Sequence, residues 1–280
     1  MQPTAQQDIR GPLPEGLARA IRETAGDIAT LLESASDTTV PVPDSQWTLG
    51  EAAAHLALAN ELMADLAAGH ERPYGDGTPQ SLAAANAQAL DAFAERGAQP
   101  LASMITEQAD LFLDAMDRAA NDESTADPAL VTPLGPMDRH VLASYLLTHM
   151  LGHGHGHDLA RALHRPHMID RDRVGLCMPF MLSVMPRVVD AAATADLAAR
   201  YVVRLRGGAA FGVGLGDGAV HVSPTPLERP DCTILIEPVT FLLIALGRRN
   251  PWRAIGRGQV LAWGRKPWLA PRFPTLFTAP

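Results

Sequence analysis

Cysteine is nearly missing from this chain: 280 residues hold two, Cys177 and Cys232, and neither has a CxxC neighbour. That excludes a disulfide scaffold and a multi-cysteine metal site, and it fits a pair of reduced, structural thiols in a cytoplasmic protein. Lysine is scarcer still. Lys266 is the single lysine among 23 basic residues, a bias that, with abundant alanine, speaks of a GC-rich genome more than of a fold. No apolar run approaches the ~18 residues of a membrane span. The opening MQPTAQQDIRGPLPEG lacks the basic start and apolar centre of a secretory signal. A net charge of −8 leaves no basic footprint for generic nucleic-acid binding. There is also no GxSxG elbow, no GxxxxGK phosphate loop and no HExxH zinc helix.

What is present is apolar enough to fold: 47% of residues are hydrophobic and mean hydropathy is near zero. The length suits one large domain or two ordinary ones. Residues from about 12 to 165 are Ala/Leu-rich with helical periodicity. EGLARAIRETAGDIATLLESA places Leu17, Ile21, Ile28, Leu31 and Leu32 on one face. WTLGEAAAHLALANELMADLAAG opens with Thr48 three residues before Glu51, a capping-box pattern, and Gly69 can close it. SLAAANAQALDAFAERG and PLASMITEQADLFLDAMDRAA read as one interrupted helix or a close pair. DESTADPALVTPLGPM reads as a loop, and DRHVLASYLLTHMLGHGHGHDLARALHRP as the fourth principal helix of a bundle. From about 170 the texture changes. After one more helix, AARYVVRLRGGAAFGVGLGDGAVHVSP alternates β-prone runs with Gly-Gly and Asp-Gly turns. DCTILIEP and GQVLAWG read as further strands and PVTFLLIALGRR as a short helix, which makes the second half α+β.

The segment HMLGHGHGHD, residues 149–158, holds four of the ten histidines. Neutral imidazole is a good zinc ligand, and an i,i+4 pair on a helix brings two rings to one face. On a continuous helix His149, His153 and His157 form one stripe, while His155 points roughly 160° away from its middle, at ~100° per residue. One mononuclear site therefore cannot take all four. His55, in WTLGEAAAHLA, is the candidate ligand from another helix. Gly152, Gly154 and Gly156 each cost a helix roughly 1 kcal/mol against alanine. Hence the segment either leaves the helix or is approached closely by a neighbouring backbone.

Two of these segments, WTLGEAAAHLA and HGHDLARAL, resemble the paired motifs of the mycothiol-dependent maleylpyruvate isomerase-like N-terminal domain, a DinB-like four-helix bundle. The resemblance covers roughly residues 12–165. It implies a divalent metal, generally zinc, held by a histidine of the second helix and by a Glu and a His of a later helix, with the metal activating mycothiol as thiolate. Position by position, it places the second-helix ligand at His55 and the later histidine at His155, with Asp158 and Arg161 on the motif's Asp and Arg. The motif's Glu falls on Leu151, which cannot ligate. Either His153 or His157 then takes over in a shifted register, or the metal is lost. The segments ADLAARYVVRLRG, DCTILIEPVTFLLIALGRRNPWRAIGRGQVLAWG and FPTLF resemble the sterol-carrier-protein-2-like domain found fused to this bundle in actinobacterial proteins. That resemblance implies a five-stranded sheet with helices around an apolar tunnel. Phe241, Leu242, Leu243 and Ile244 are lining candidates there, with ordinary core as their other reading.

The expectation is thus an α plus α+β chain: a DinB-like helical bundle at 1–167 and a smaller SCP2-like α+β domain at 168–280. The leading function is a metal-assisted, mycothiol-dependent isomerase or S-transferase. Its thiol cosubstrate attacks an electrophilic small molecule. Arg200, Arg204 and Arg206 are candidates for a carboxylated substrate. A non-catalytic carrier of a lipid or hydrophobic metabolite in the C-terminal domain is the second reading. A metal-free enzyme using histidines as acid/base groups is the third.

Overall fold

The computed structural model describes residues 12–70, 72, 74–76, 81–121, 129–152, 155–216 and 218–278. The chain divides into two compact units, Met1–Met168 and Ile169–Pro280.

In the first unit α1 (Glu15–Glu33) buries Leu17, Ile21, Ile28 and Leu32 along the stripe that the sequence spacing marks. α2 (Leu49–Ala67) is different, because it is buried on nearly every side. Its alanines leave room for α3 (Leu82–Ala92) and α4 (Ala98–Ala120) to pack against it. α2 starts with both arms of the capping box: Thr48 Oγ1 accepts from Glu51 N–H at 3.3 Å, and the Glu51 carboxylate accepts from Thr48 N–H at 2.7 Å. It stops in a Schellman arrangement, with Gly69 at φ +80° and His70 N–H bonded to the Asp65 carbonyl at 2.9 Å. Between α3 and α4 the guanidinium of Arg96 donates to the carbonyls of Leu90 and Glu95, so the two are separate helices joined by a capped turn. A Cβ on Gly50 would lie 2.8 Å from the Arg96 carbonyl oxygen, which is how closely α2 meets that turn.

The stretch read as one loop before the fourth helix contains a hairpin. β1 (Leu130–Thr132) and β2 (Gly135–Met137) pair antiparallel, and Thr132 Oγ1 closes the turn on the Gly135 carbonyl at 2.7 Å. Two three-residue strands, one holding a proline, give no alternation to read. α5 (Arg139–Leu151) follows, N-capped by Asp138, and α6 (Gly156–Ala162) begins after a break. Both α5 and α6 pack on α1 and α2.

The second unit opens with α7 (Arg171–Val184) and a short α8 (Ala191–Thr194). β3 (Ala199–Leu205), β4 (Ala210–Gly216), β5 (Ala219–Ser223), β6 (Cys232–Ile236) and β7 (Val260–Trp263) form a five-stranded sheet in the order β5-β4-β3-β6-β7. All neighbours are antiparallel except β3 and β6. The β3–β4 turn uses Gly207 at φ +69°; of the Asp-Gly pair that marks the next turn, Asp217 lies outside the described residues. α9 (Pro238–Ala245) and α10 (Pro251–Gly256) each start at a proline and are capped by Glu237 and Asn250. Tyr201, Val203, Phe211, Val213, Phe241 and Leu242 make the core. Cys177 and Cys232 are buried and free, and burial pushes the Cys232 thiol up to about 11. No described helix is long and apolar enough to cross a membrane.

Hydrogen bonds from Thr48 hold the Glu51 carboxyl below its ordinary value. A depressed folded-state pKa contributes stability that is full above the unfolded value and is lost as pH falls through the folded one. In denaturant melts near neutral pH, Thr48→Ala should cost about 1 kcal/mol. Glu51→Gln should also destabilise there, and its gap from the parent protein should close as pH drops below about 4.

Candidate metal centre

The site is made by the place where a helix stops. α5 ends at Leu151, and Gly152 follows in an extended conformation, φ −118° and ψ −168°. The chain then turns so that His155 N–H bonds back to the Gly152 carbonyl at 2.9 Å. His155 becomes the N-cap of α6 and its carbonyl accepts the first helical bond, from Leu159 N–H at 2.8 Å. Glycine is required at the next position. A Cβ on residue 156 would lie 2.7 Å from Met168 Sδ and 2.8 Å from the Met150 carbonyl oxygen.

This break overturns the angular argument made for a continuous helix. With the chain interrupted, His149 and His155 face each other: their Nε2 atoms are 2.9 Å apart and their ring centroids 4.0 Å. His55 reaches the same place from α2, with its ring centroid 5.0 Å from that of His155 and 5.6 Å from that of His149. One ligand nitrogen from each of the three lies within 4.8 Å of the others. His55 and His155 are buried and His149 is half-buried. Two imidazole nitrogens on a tetrahedral zinc are roughly 3.3 Å apart, given Zn–N bonds of about 2.0–2.1 Å. The three rings thus fit one such ion after shifts of about an ångström. A set of three neutral imidazoles with a position left open is the donor set of a catalytic rather than a structural zinc site.

Aromatic rings flank two of the three histidines. Trp47 packs against His55 with centroids 4.8 Å apart, and Tyr145 meets His149 edge-on at 6.0 Å. Burial raises the Tyr145 phenol well above its ordinary range, so its hydroxyl keeps its proton at neutral pH. Nearby, the Tyr74 hydroxyl donates to Asn86 Oδ1 at 2.6 Å.

The remaining candidates fall elsewhere. His153 lies outside the described residues. His157 is not part of the cluster: its Nδ1 is 3.0 Å from Asp158 Oδ1 and its ring packs on His167 at 5.4 Å. The register that pairs His153 with His157 requires the helix that the glycines interrupt. Asp158 is fully buried and also faces Arg161 at 3.8 Å, while Arg161 donates to Asp44 at 2.9 Å. These two residues fasten α6 to the loop before α2. Leu151 is packed in the core. His149 entered the sequence reading only as part of the 149/153/157 stripe, and Trp47 and Tyr145 did not enter it as candidates. The glycines at 152, 154 and 156 were the signal for His149, since they mark the break that turns it toward His155. In the second unit Arg200, Arg204 and Arg206 are exposed, and Phe241, Leu242 and Leu243 are core residues with Phe241 edge-on to Phe211.

Gly156→Ala should lower stability by about 1–3 kcal/mol, because a backbone carbonyl has to move. It should also weaken divalent-metal uptake measured on the same sample. Gly26→Ala, in α1 with nothing within 4 Å of the new methyl, should instead stabilise by about 1 kcal/mol.

No protein-family profile matches the sequence, and no curated protein matches it. Solved structures are similar at low identity. The crystal structure of the mycothiol-dependent maleylpyruvate isomerase is 14% identical, with 89% of this chain and 93% of that one covered and a TM-score of 0.46. A point mutant of the same isomerase gives 13% identity over the same shares, with a TM-score of 0.48. A UbiJ-SCP2 ubiquinone synthesis protein is 15% identical over 34% of this chain and 84% of its own, with a TM-score of 0.28.

Proposed function

We propose that this chain is a metal-assisted enzyme that activates a low-molecular-weight thiol, mycothiol or a close relative, for attack on an electrophilic small molecule. The outcome is isomerisation or S-conjugation. The observation behind this reading is the convergence of His55, His149 and His155 from three chain segments into one largely buried cluster. In the same reading the first unit is a DinB-like four-helix bundle, the second is SCP2-like, and the protein works in the cytoplasm.

His55, His149 and His155 would hold the ion, and zinc is one of the metals that imidazole ligands suit. When bound, the ion supplies a positive centre that lowers the pKa of a coordinated thiol. The ligand set itself tunes that effect. Leu151 stands where the resembled motif has Glu, so His149 replaces a negative ligand by a neutral one. Three neutral ligands would leave the charge of a bound ion undiminished, where a two-His, one-Glu set would offset part of it. Trp47 holds the His55 ring in place and Tyr145 bounds the His149 ring. The apolar residues around α2 keep bulk water from competing for the open position.

The carrier reading has less support, because Phe241, Leu242 and Leu243 are packed core. A metal-free acid/base enzyme would leave three imidazoles crowded together for no purpose.

The decisive experiment is zinc titration of chelator-treated protein together with thiol assays. One ion per chain is expected. His55→Ala, His149→Ala and His155→Ala should each weaken zinc binding by more than about 100-fold, since loss of supporting groups alone costs 10–100-fold. His157→Ala should not. Unchanged affinity in all three variants sinks the metal site. Normal binding with no metal-dependent consumption of mycothiol across a panel of electrophiles sinks the thiol chemistry and spares the site.

A further inference from the structure

Three of the four tryptophans sit exposed on the second unit: Trp252 at 64%, Trp263 at 47% and Trp268 at 66%, joined by Leu261 at 48%. Large apolar side chains left this open on one part of a fold mark an interaction surface. They come from neighbouring elements. Leu261 and Trp263 lie two apart on β7, on one face of the sheet's edge strand. α10, which holds Trp252, and the 3₁₀ segment Pro267–Leu276, which holds Trp268, both pack on β7 and on each other. Cross-strand pairing continues the β7 face inward: Leu261 stands opposite Leu235, and Leu235 opposite Arg204.

The charge around these residues is of one sign. Residues 238–280 hold seven Arg and Lys and no Asp or Glu. Arg204, Arg206, Arg253, Arg257 and Arg265 are exposed, and Arg206 reaches the carbonyl of Gly258 just before β7 at 3.1 Å. The nearest carboxylates in sequence are engaged internally. Asp231 is buried against Arg265 and Lys266, and Glu237 caps α9. With 14 basic and 8 acidic residues, 169–280 carries a formal +6, whereas the rest of the chain carries −14 of the total −8.

From these observations we infer that the β7 edge of the second unit docks on an anionic lipid bilayer surface, with the indoles and Leu261 in the interfacial layer and the arginines on phosphate headgroups. Indole is the side chain that settles at the boundary between water and acyl chains, and clustered arginines gain from a negative leaflet. Leu261 decides between bilayer and nucleic acid. An aliphatic side chain gains by burial in lipid but offers no plane on which a base can stack. The contact is peripheral, since no described helix can span. It is independent of the metal site and of the thiol reaction proposed for it.

The test uses the full chain and vesicles of phosphatidylcholine, with and without phosphatidylglycerol. Co-sedimentation is expected only with the anionic vesicles, falling as salt is raised, together with a blue shift of tryptophan emission. A variant with Trp252, Trp263 and Trp268 all changed to Ser should lose vesicle binding while its far-ultraviolet spectrum and melting temperature hold. Should that variant not fold, Arg253→Gln with Arg257→Gln keeps every indole, and binding should weaken about fivefold for each arginine, at about 1 kcal/mol apiece. His55→Ala should bind vesicles as the parent does. Failure of the parent protein to bind anionic vesicles overturns the inference. So does binding that survives both sets of substitutions, or tighter binding to single-stranded oligonucleotide than to vesicles.

Discussion

The candidate centre depends on one backbone interruption. Between Leu151 and Gly156 the helical ladder stops, the chain extends at Gly152, and a new helix begins under the His155 N-cap. Had α5 run on unbroken, His149 and His155 would point to different sides, six residues apart at ~100° each. The glycines make the interruption cheap because they have little helical stability to lose. Gly156 then lets the first turn of α6 sit against the Met150 carbonyl, a distance that any Cβ would forbid. A local weakness in helix propensity is thereby converted into a fixed relation between two rings.

The third ring needs a rigid platform, and α2 provides it. A helix buried on nearly every side has few ways to shift. Its start is fixed by the reciprocal Thr48–Glu51 bonds and its end by the Gly69 turn. His55 therefore arrives at the cluster with its position set by packing. The loop before α2 is tied in as well, through the Asp44–Arg161 ion pair to α6. That pair is largely exposed at Asp44 and adds little stability by itself. Its effect is to join the element bearing His155 to the loop that leads into α2.

Much of this could be read in the chain beforehand, and the failures have physical causes. The α1 stripe and the α2 caps were legible because amphipathic spacing and capping chemistry are local. The strands at 199–205, 210–216 and 232–236 were legible as short β-prone runs, the first two separated by a Gly-Gly turn and the third set off by flanking prolines. The short hairpin at 130–137 was not, because Gly135 and Pro136 erase the alternation on which strand reading depends. His55 and His155 came out of motif order. His149 did not, because a helical-wheel argument assumes the very continuity that the glycines remove. Trp47 and Tyr145 have no sequence signal for their place beside the cluster. Such contacts arise only once three segments have been brought together.

The uneven distribution of charge also bears on encounter rates. The imidazole cluster belongs to the unit whose 168 residues carry a formal −14. A field of that sign slows the approach of anionic small molecules and speeds that of cationic ones, most at low ionic strength and within a Debye length of about 8 Å at physiological salt. Among small molecules of equal size, those without carboxylates reach these histidines sooner. Discrimination among small molecules thus begins in solution, before any side chain touches them.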